Sequence, residues 1–61
     1  MTEEEAIGTA RELARQLEHA AVVVRSGMRY VARDSWKPLP RGFVIVAFVS
    51  SGGHVTRARS A

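Results

Sequence analysis

Residues 43–49 form the longest run of purely apolar side chains in the chain. A β-strand points successive side chains to opposite faces, so one face would carry Phe43, Ile45, Ala47 and Val49. The other face would carry Val44, Val46 and Phe48. Apolar side chains on both faces are typical of a strand that is covered on both sides. The fold must therefore supply two covering layers for this strand.

The chain is short for a fold with two covering layers. It has 61 residues and a mass of 6.7 kDa, which allows one small domain, 1–61. Monomers of this size are marginally stable, and without cysteine there is neither a disulfide nor a thiolate-bound metal to strengthen this one. We therefore expect a homodimer in which a second copy covers the face that contains Val44, Val46 and Phe48 or extends the sheet edge to edge.

Residues 2–19 are predicted to form an amphipathic helix that covers the first face. Thr2 and Glu5 have the spacing of a capping box, and the three glutamates at 3–5 suit the positive end of the helix dipole. Apolar residues at spacings of three and four form a single stripe: Ala6, Ala10, Leu13, Leu17 and Ala20, flanked by Ile7 and Ala14.

Residues 20–36 contain two strand-like runs around a glycine and are predicted to form a β-hairpin. The loop is either Ser26-Gly27 or Gly27-Met28. In both registers one face is mixed and contains Val22, Val24, Arg29, Val31 and Arg33. The opposite face is better suited to a core and contains Val23, Tyr30 and Ala32.

The rest of the chain completes an α+β fold. Two prolines in residues 37–42 predict an extended loop, and the preceding Trp36 is expected to cover one end of the core. Residues 43–50 form the central strand, and residues 51–61 form a turn and a basic tail. The sheet is antiparallel and has three strands, or four if residues 55–57 return as a short edge strand.

Charge is distributed unevenly along the chain. Residues 1–18 carry a net charge of −3 and residues 19–61 a net charge of +6, with eight arginines and one lysine in all. The guanidinium group matches phosphate geometry, so we expect nucleic-acid contacts from the hairpin and the loop after it: Arg29, Arg33, Lys37 and Arg41. Alternatively, the arginines reflect a GC-rich genome, or they pair with glutamates of the helix in the same or a partner chain.

The aromatic side chains also have two interpretations. Tyr30, Trp36, Phe43 and Phe48 are interleaved with basic residues, as in proteins that stack nucleic-acid bases. Four aromatic residues are also what a very small core requires.

The residues offer little for catalysis. His19 and His54 are far apart in sequence, no ligand pair has metal-binding spacing, and Asp34 is the one acidic residue outside the helix. His19 is expected to interact with the C-terminal end of the helix dipole and His54 to lie in a solvated turn. We expect no enzyme activity, no cofactor and no metal; a small nuclease that uses His19 or His54 is a third hypothesis.

The leading functional prediction is a non-enzymatic nucleic-acid-binding regulator or accessory factor, of bacterial or phage type. The alternative is a phage- or plasmid-type inhibitor or adaptor that binds a protein partner through its basic face. The N-terminus is acidic rather than signal-like and no apolar run approaches the length of a bilayer span, so we expect a cytoplasmic protein without membrane contacts.

Overall fold

The computed structural model describes residues 1–58, which form one helix and four strands. The elements are α1 (Glu3–Leu17), β1 (Ala21–Ser26), β2 (Arg29–Asp34), β3 (Val44–Val49) and β4 (Val55–Arg57). Neighbouring strands are antiparallel in the order β2-β1-β3-β4, and α1 packs on one face of the sheet. The α+β prediction is confirmed in its four-stranded form. The end of the predicted basic tail, residues 59–61, lies outside the described residues.

Helix α1 begins at the predicted capping box. The Thr2 hydroxyl accepts a hydrogen bond from the Glu5 amide at 3.2 Å, and the Thr2 amide donates to the Glu5 carboxylate at 2.9 Å. The helix ends at Leu17, two residues before the predicted end, because Glu18 has a φ of 61° and a left-handed backbone that closes the last turn. The predicted apolar stripe faces the sheet; its buried members are Ala6, Ile7, Ala10 and Ala14.

Replacing Thr2 with alanine should lower the free energy of unfolding by about 0.5–2 kcal/mol, because the Glu5 amide loses the hydroxyl that accepts its hydrogen bond. Denaturant unfolding at matched protein concentrations would measure this change. Thr9→Ala is the control, since Thr9 is exposed in the middle of α1, where alanine is the better helix former. Equal stability of the Thr2 variant and the wild type would show that the capping box contributes nothing.

The hairpin has its two-residue loop at Gly27-Met28, because Ser26 pairs with Arg29. Gly27 has a φ of 61° and Met28 does not have a positive φ, as in a type II′ turn. The predicted division of the hairpin faces is confirmed, since Val22 pairs with Arg33, Val24 with Val31 and Val23 with Ala32. The face with Val23 packs against α1. We call the opposite face, with Val22 and Val24, the outer face.

Strand β3 departs from the predicted alternation. Val23 of β1 pairs with Ala47, but the next residue, Val24, pairs with Ile45, so Val46 is the extra residue of a β-bulge. Val46 packs against the core on the helix side, and Ile45 lies with Phe48 on the outer face. The prediction that Ile45 shares a face with Ala47 is wrong, because one inserted residue reverses the alternation beyond it.

The loop between β2 and β3 crosses the outer face. Both strands are antiparallel to β1 and therefore parallel to each other, so residues 35–43 must return along the full strand length. Nine residues cover about 28 Å as extended polyproline-like chain, against about 20 Å for a six-residue strand. Pro38 and Pro40 suit this extended path. Arg33, on the outer face, donates a hydrogen bond to the Pro38 carbonyl at 3.3 Å, which fixes the loop on that side.

This loop supplies part of the second covering layer. Val22 and Val24 lie on the outer face, away from α1, yet they are only 6% and 0% exposed. The loop is the segment that passes over them. At the β3 side of the outer face, Ile45 and Phe48 remain 36% and 43% exposed. The chain thus covers the centre of this face itself and leaves an apolar strip along β3.

Candidate nucleic-acid interface

The structure places two of the four predicted nucleic-acid-binding residues on the outer face and the other two on the loop that crosses this face. Arg29 and Arg33 lie on the outer face of the edge strand β2, about 13 Å apart along the strand. Lys37 and Arg41 are exposed on the loop that crosses this face. Lys37 is near the Arg33 end of β2, whereas Arg41 is near the start of β3, at the Arg29 end. We call these four residues the basic surface.

The acidic residues of α1 do not neutralise the basic surface. Glu3 pairs with Arg57, Glu12 pairs with Arg15 at 2.5 Å, and Glu5 is held by the capping box. Within residues 1–58, no carboxylate lies within salt-bridge distance of the basic surface. The side-chain hydrogen bond that the structure describes for the basic surface runs from Arg33 to the Pro38 carbonyl, which is an uncharged acceptor. Pairing of these cations with glutamates of the same chain is therefore excluded for the described residues.

A polar cluster lies at the end of β2 where the loop begins. The Asp34 carboxylate is 2.7 Å from His19 Nε2 and accepts a hydrogen bond from the Trp36 amide at 2.9 Å. These bonds, first that with His19 and then that with Trp36, lower the pKa of Asp34 below its ordinary value of 3.8. The His19 imidazole is thus fixed by Asp34, a partner that the helix-dipole interpretation did not foresee.

Trp36 does not cover the core as predicted. Its side chain is 77% exposed, and its ring stacks on His19 with centroids 3.5 Å apart and an angle of 12° between the planes. A turn follows β2, in which the Lys37 amide donates a hydrogen bond to the Asp34 carbonyl. This turn keeps the Trp36 side chain away from the core. Trp36 therefore lies at the surface, and the next residue in the chain is Lys37 of the basic surface.

The ionised Asp34 carboxylate should stabilise the fold at neutral pH. Because its pKa is lowered on folding, this stabilisation is present above pH 3.8, the ordinary value, and is lost as pH falls through the folded-state pKa. We expect Asp34→Asn to melt at a lower temperature than the wild type at pH 6, with the difference shrinking below about pH 4. Thermal melts across this range would test it; a difference independent of pH would contradict a role for the charge.

The three residues predicted to form a dimer interface do not share a face. Phe48 is on the outer face, opposite Thr56 of β4. Val44 pairs with Arg25, and with Val46 it lines an open cleft of about 470 Å³ on the helix side. The bulge that separates them has no glycine or other sequence signal in β3, so the pattern of apolar residues concealed it. The outer-face neighbour that the sequence analysis missed is Ile45.

The remaining candidates of the sequence analysis are dispersed. His54 is exposed in the turn between β3 and β4, where its amide bonds to the Ser50 hydroxyl. Tyr30 packs against the core and Phe43 is half-buried. Among residues 1–58, no three His, Asp or Glu side chains are grouped as metal ligands. The helix described in residues 1–58, α1, is not long and apolar enough to cross a membrane.

The arrangement is suited to binding an extended anion. Two arginines lie on the outer face, two further cations are exposed on the loop that crosses it, an exposed indole follows β2 in the chain, and the acidic first turn of α1 is on the other layer of the fold. Arginine pairs with phosphate through two parallel hydrogen bonds, which adds geometric selectivity to charge attraction.

Comparisons of the chain with protein-family models, curated proteins and solved structures gave no match.

Proposed function

We propose that this protein is a small non-enzymatic nucleic-acid-binding module that contacts the phosphate backbone through the basic surface. The observation that carries the proposal is that none of the four cations lies within salt-bridge distance of a carboxylate among residues 1–58, although they lie on the outer face or on the loop that crosses it: Arg29, Arg33, Lys37 and Arg41. Cations that already pair internally gain little from a phosphate, whereas these four can replace released counterions.

The two layers of the fold differ in net charge. Residues 1–18, which include α1, have a net charge of −3, and the sheet and loop segments carry the excess of arginine. The negative charges of a polyanion would therefore attract the positively charged outer face and repel the negatively charged helix layer. This supports binding through the outer face rather than through an arbitrary side.

We further propose that two copies associate through the apolar strip of β3. Ile45 and Phe48 are partly exposed and adjacent to uncharged Thr56. A two-fold axis would place each strip against its copy, which makes an uncharged, self-complementary contact. Arg29 and Arg33 lie on β2, which β1 separates from β3, so these two arginines of each copy would remain available in the dimer.

The direct test is a titration of fluorescently labelled DNA, single-stranded and duplex, followed by anisotropy at several salt concentrations. With three or four phosphate contacts per protomer, a dimer on duplex DNA should show a log–log salt slope of roughly −5 to −7. The absorbance of the purified protein at 260 nm would also reveal co-purified nucleic acid. No binding at about 50 mM salt would contradict the proposal, since phosphate contacts are strongest at low salt.

An inhibitor or adaptor that binds an acidic protein is the second candidate. Two exposed apolar side chains favour it: Met28 at the hairpin tip, beside Arg29, and Leu39 in the loop. Alternating apolar and basic contacts are typical of protein interfaces as well as of nucleic-acid sites. Co-purification of a discrete protein that resists nuclease treatment, together with no DNA binding, would favour this function.

A further inference from the structure

Trp36 is the only tryptophan of the chain and is conspicuously exposed. Its side chain is 77% accessible, while the buried core consists of alanine, valine and one isoleucine. The indole stacks on the His19 imidazole at 3.5 Å, nearly parallel at 12°. Since the imidazole covers one side of the indole, the exposed area belongs mainly to the other side. A flat aromatic surface is thus presented to solvent at the end of the sheet.

The indole is firmly supported. Asp34 bonds to both stacked residues. Its Oδ1 atom is 2.7 Å from His19 Nε2 and also accepts a hydrogen bond from the Trp36 backbone amide at 2.9 Å. The intervening Ser35 hydroxyl donates to the Ala20 carbonyl at 2.5 Å. These bonds tie the segment that carries the indole to the segment that carries the imidazole. A preorganised ring loses little conformational entropy when a ligand stacks on it.

Two cations of the basic surface are close to Trp36 along the chain. Lys37 is the next residue in the chain, and the following residue, Pro38, is held by Arg33 through its carbonyl. An exposed aromatic plane beside cations is the combination with which proteins bind unpaired bases and the adjoining phosphates. Duplex DNA does not offer this contact, because its bases are stacked on one another inside the helix.

We infer that Trp36 is a stacking platform for one unpaired base of a single-stranded nucleic acid, with Lys37 and Arg33 contacting the neighbouring phosphates. The inference rests on the proposed function and makes it more specific: single strands should be preferred to duplexes. His19 and Asp34 are positioning residues that hold the indole in place.

The experiment uses the whole chain of 61 residues and a thymidine oligonucleotide of about 12 nucleotides, the length scale of single-strand sites. Anisotropy of the labelled oligonucleotide reports binding. The intrinsic fluorescence of the unlabelled complex reports Trp36 alone, because it is the only tryptophan. Stacking of a base on the indole should quench this fluorescence in proportion to the bound fraction.

Variants distinguish stacking from charge. Trp36→Ala should weaken single-strand binding about 5- to 150-fold, as for other base–aromatic stacks, and leave duplex binding nearly unchanged. Trp36→Phe, which keeps an aromatic plane, should restore most of the affinity. Leu39→Ala is the matched control, an exposed apolar side chain of the same loop, and should leave the affinity unchanged. Melting temperatures of all variants verify that they are folded.

The outcomes separate the two proposals. Binding with quenching and a selective loss in Trp36→Ala supports the inference. Binding without quenching, or an equal loss on single strand and duplex, overturns the stacking role and leaves the nucleic-acid function in place. A lower melting temperature of Trp36→Ala with unchanged affinity also overturns it, because the indole then serves only to stabilise the fold. No binding of either DNA overturns both.

Discussion

Reversing the charges of Arg29 and Arg33 together should abolish nucleic-acid binding and leave the protein folded. Both side chains lie on the outer face of an edge strand, and no described carboxylate pairs with them. Arg29→Glu with Arg33→Glu replaces two attractive contacts by two repulsive ones in each protomer. Any residual binding should show a salt slope reduced by about half, from roughly −5 to −7 to about −3, because half of the phosphate contacts are lost.

A second double variant controls for net charge. Arg11→Glu with Arg15→Glu makes the same change in charge on α1, on the other layer of the fold. If local contacts with phosphate dominate, this control should retain most of the affinity. If it loses affinity as much as the outer-face variant, long-range attraction alone explains binding, and the basic surface is not a site.

The melting temperature of the outer-face variant decides a remaining alternative. Arginines that pair with glutamates of a partner chain would stabilise the dimer, so their reversal would lower the melting temperature instead of the DNA affinity. Loss of the bond from Arg33 to the Pro38 carbonyl should itself cost only about 1 kcal/mol, as for one partly exposed hydrogen bond. A larger loss of stability without a loss of affinity would contradict the assignment of these residues to nucleic acid.

Local chemistry explains which parts of the fold could be predicted. The capping box, the apolar helix stripe and the hairpin depend on residues close in sequence, and each is found where its pattern predicts it. The shared face of Arg29 and Arg33 followed in the same way, since alternation along a regular strand is independent of the loop register. The return of Val55–Arg57 as an edge strand is also confirmed.

Features that depend on distant parts of the chain could not be predicted in this way. The order β2-β1-β3 makes β2 and β3 parallel, and only this arrangement sends the proline-containing loop across the outer face. A sequence pattern gives no strand order, so the two prolines predict an extended loop but not the face that it crosses. The bulge at Val46 and the contact of His19 with Asp34 likewise arise from pairing across the sheet and between segments. Hence the basic residues were predictable individually, but their assembly with Trp36 was not.

Replacing Phe48 with glutamate should convert a dimer into a folded monomer. In a symmetric contact through the apolar strip, the Phe48 side chains of both copies are buried; full burial of such a side chain is worth about 1.5–3 kcal/mol, and Phe48 still has 43% of its surface to bury. A carboxylate at this position also opposes its copy across the axis, so the dissociation constant should rise by at least about 10-fold. Because Phe48 is 43% exposed in the single chain, the fold itself should tolerate the change.

Two further substitutions on β3 make this prediction specific to the outer face. Val46→Glu should lower the melting temperature, because the bulge packs the partly buried Val46 against the core. Val44→Glu should leave the dimer intact: Val44 is 50% exposed but lies on the helix side. Light scattering at micromolar concentration measures the outcome, with twice the chain mass of 6.7 kDa expected for the wild type and Val44→Glu. A wild type of 6.7 kDa would show that the crossing loop already covers enough of the sheet for the monomer to be stable.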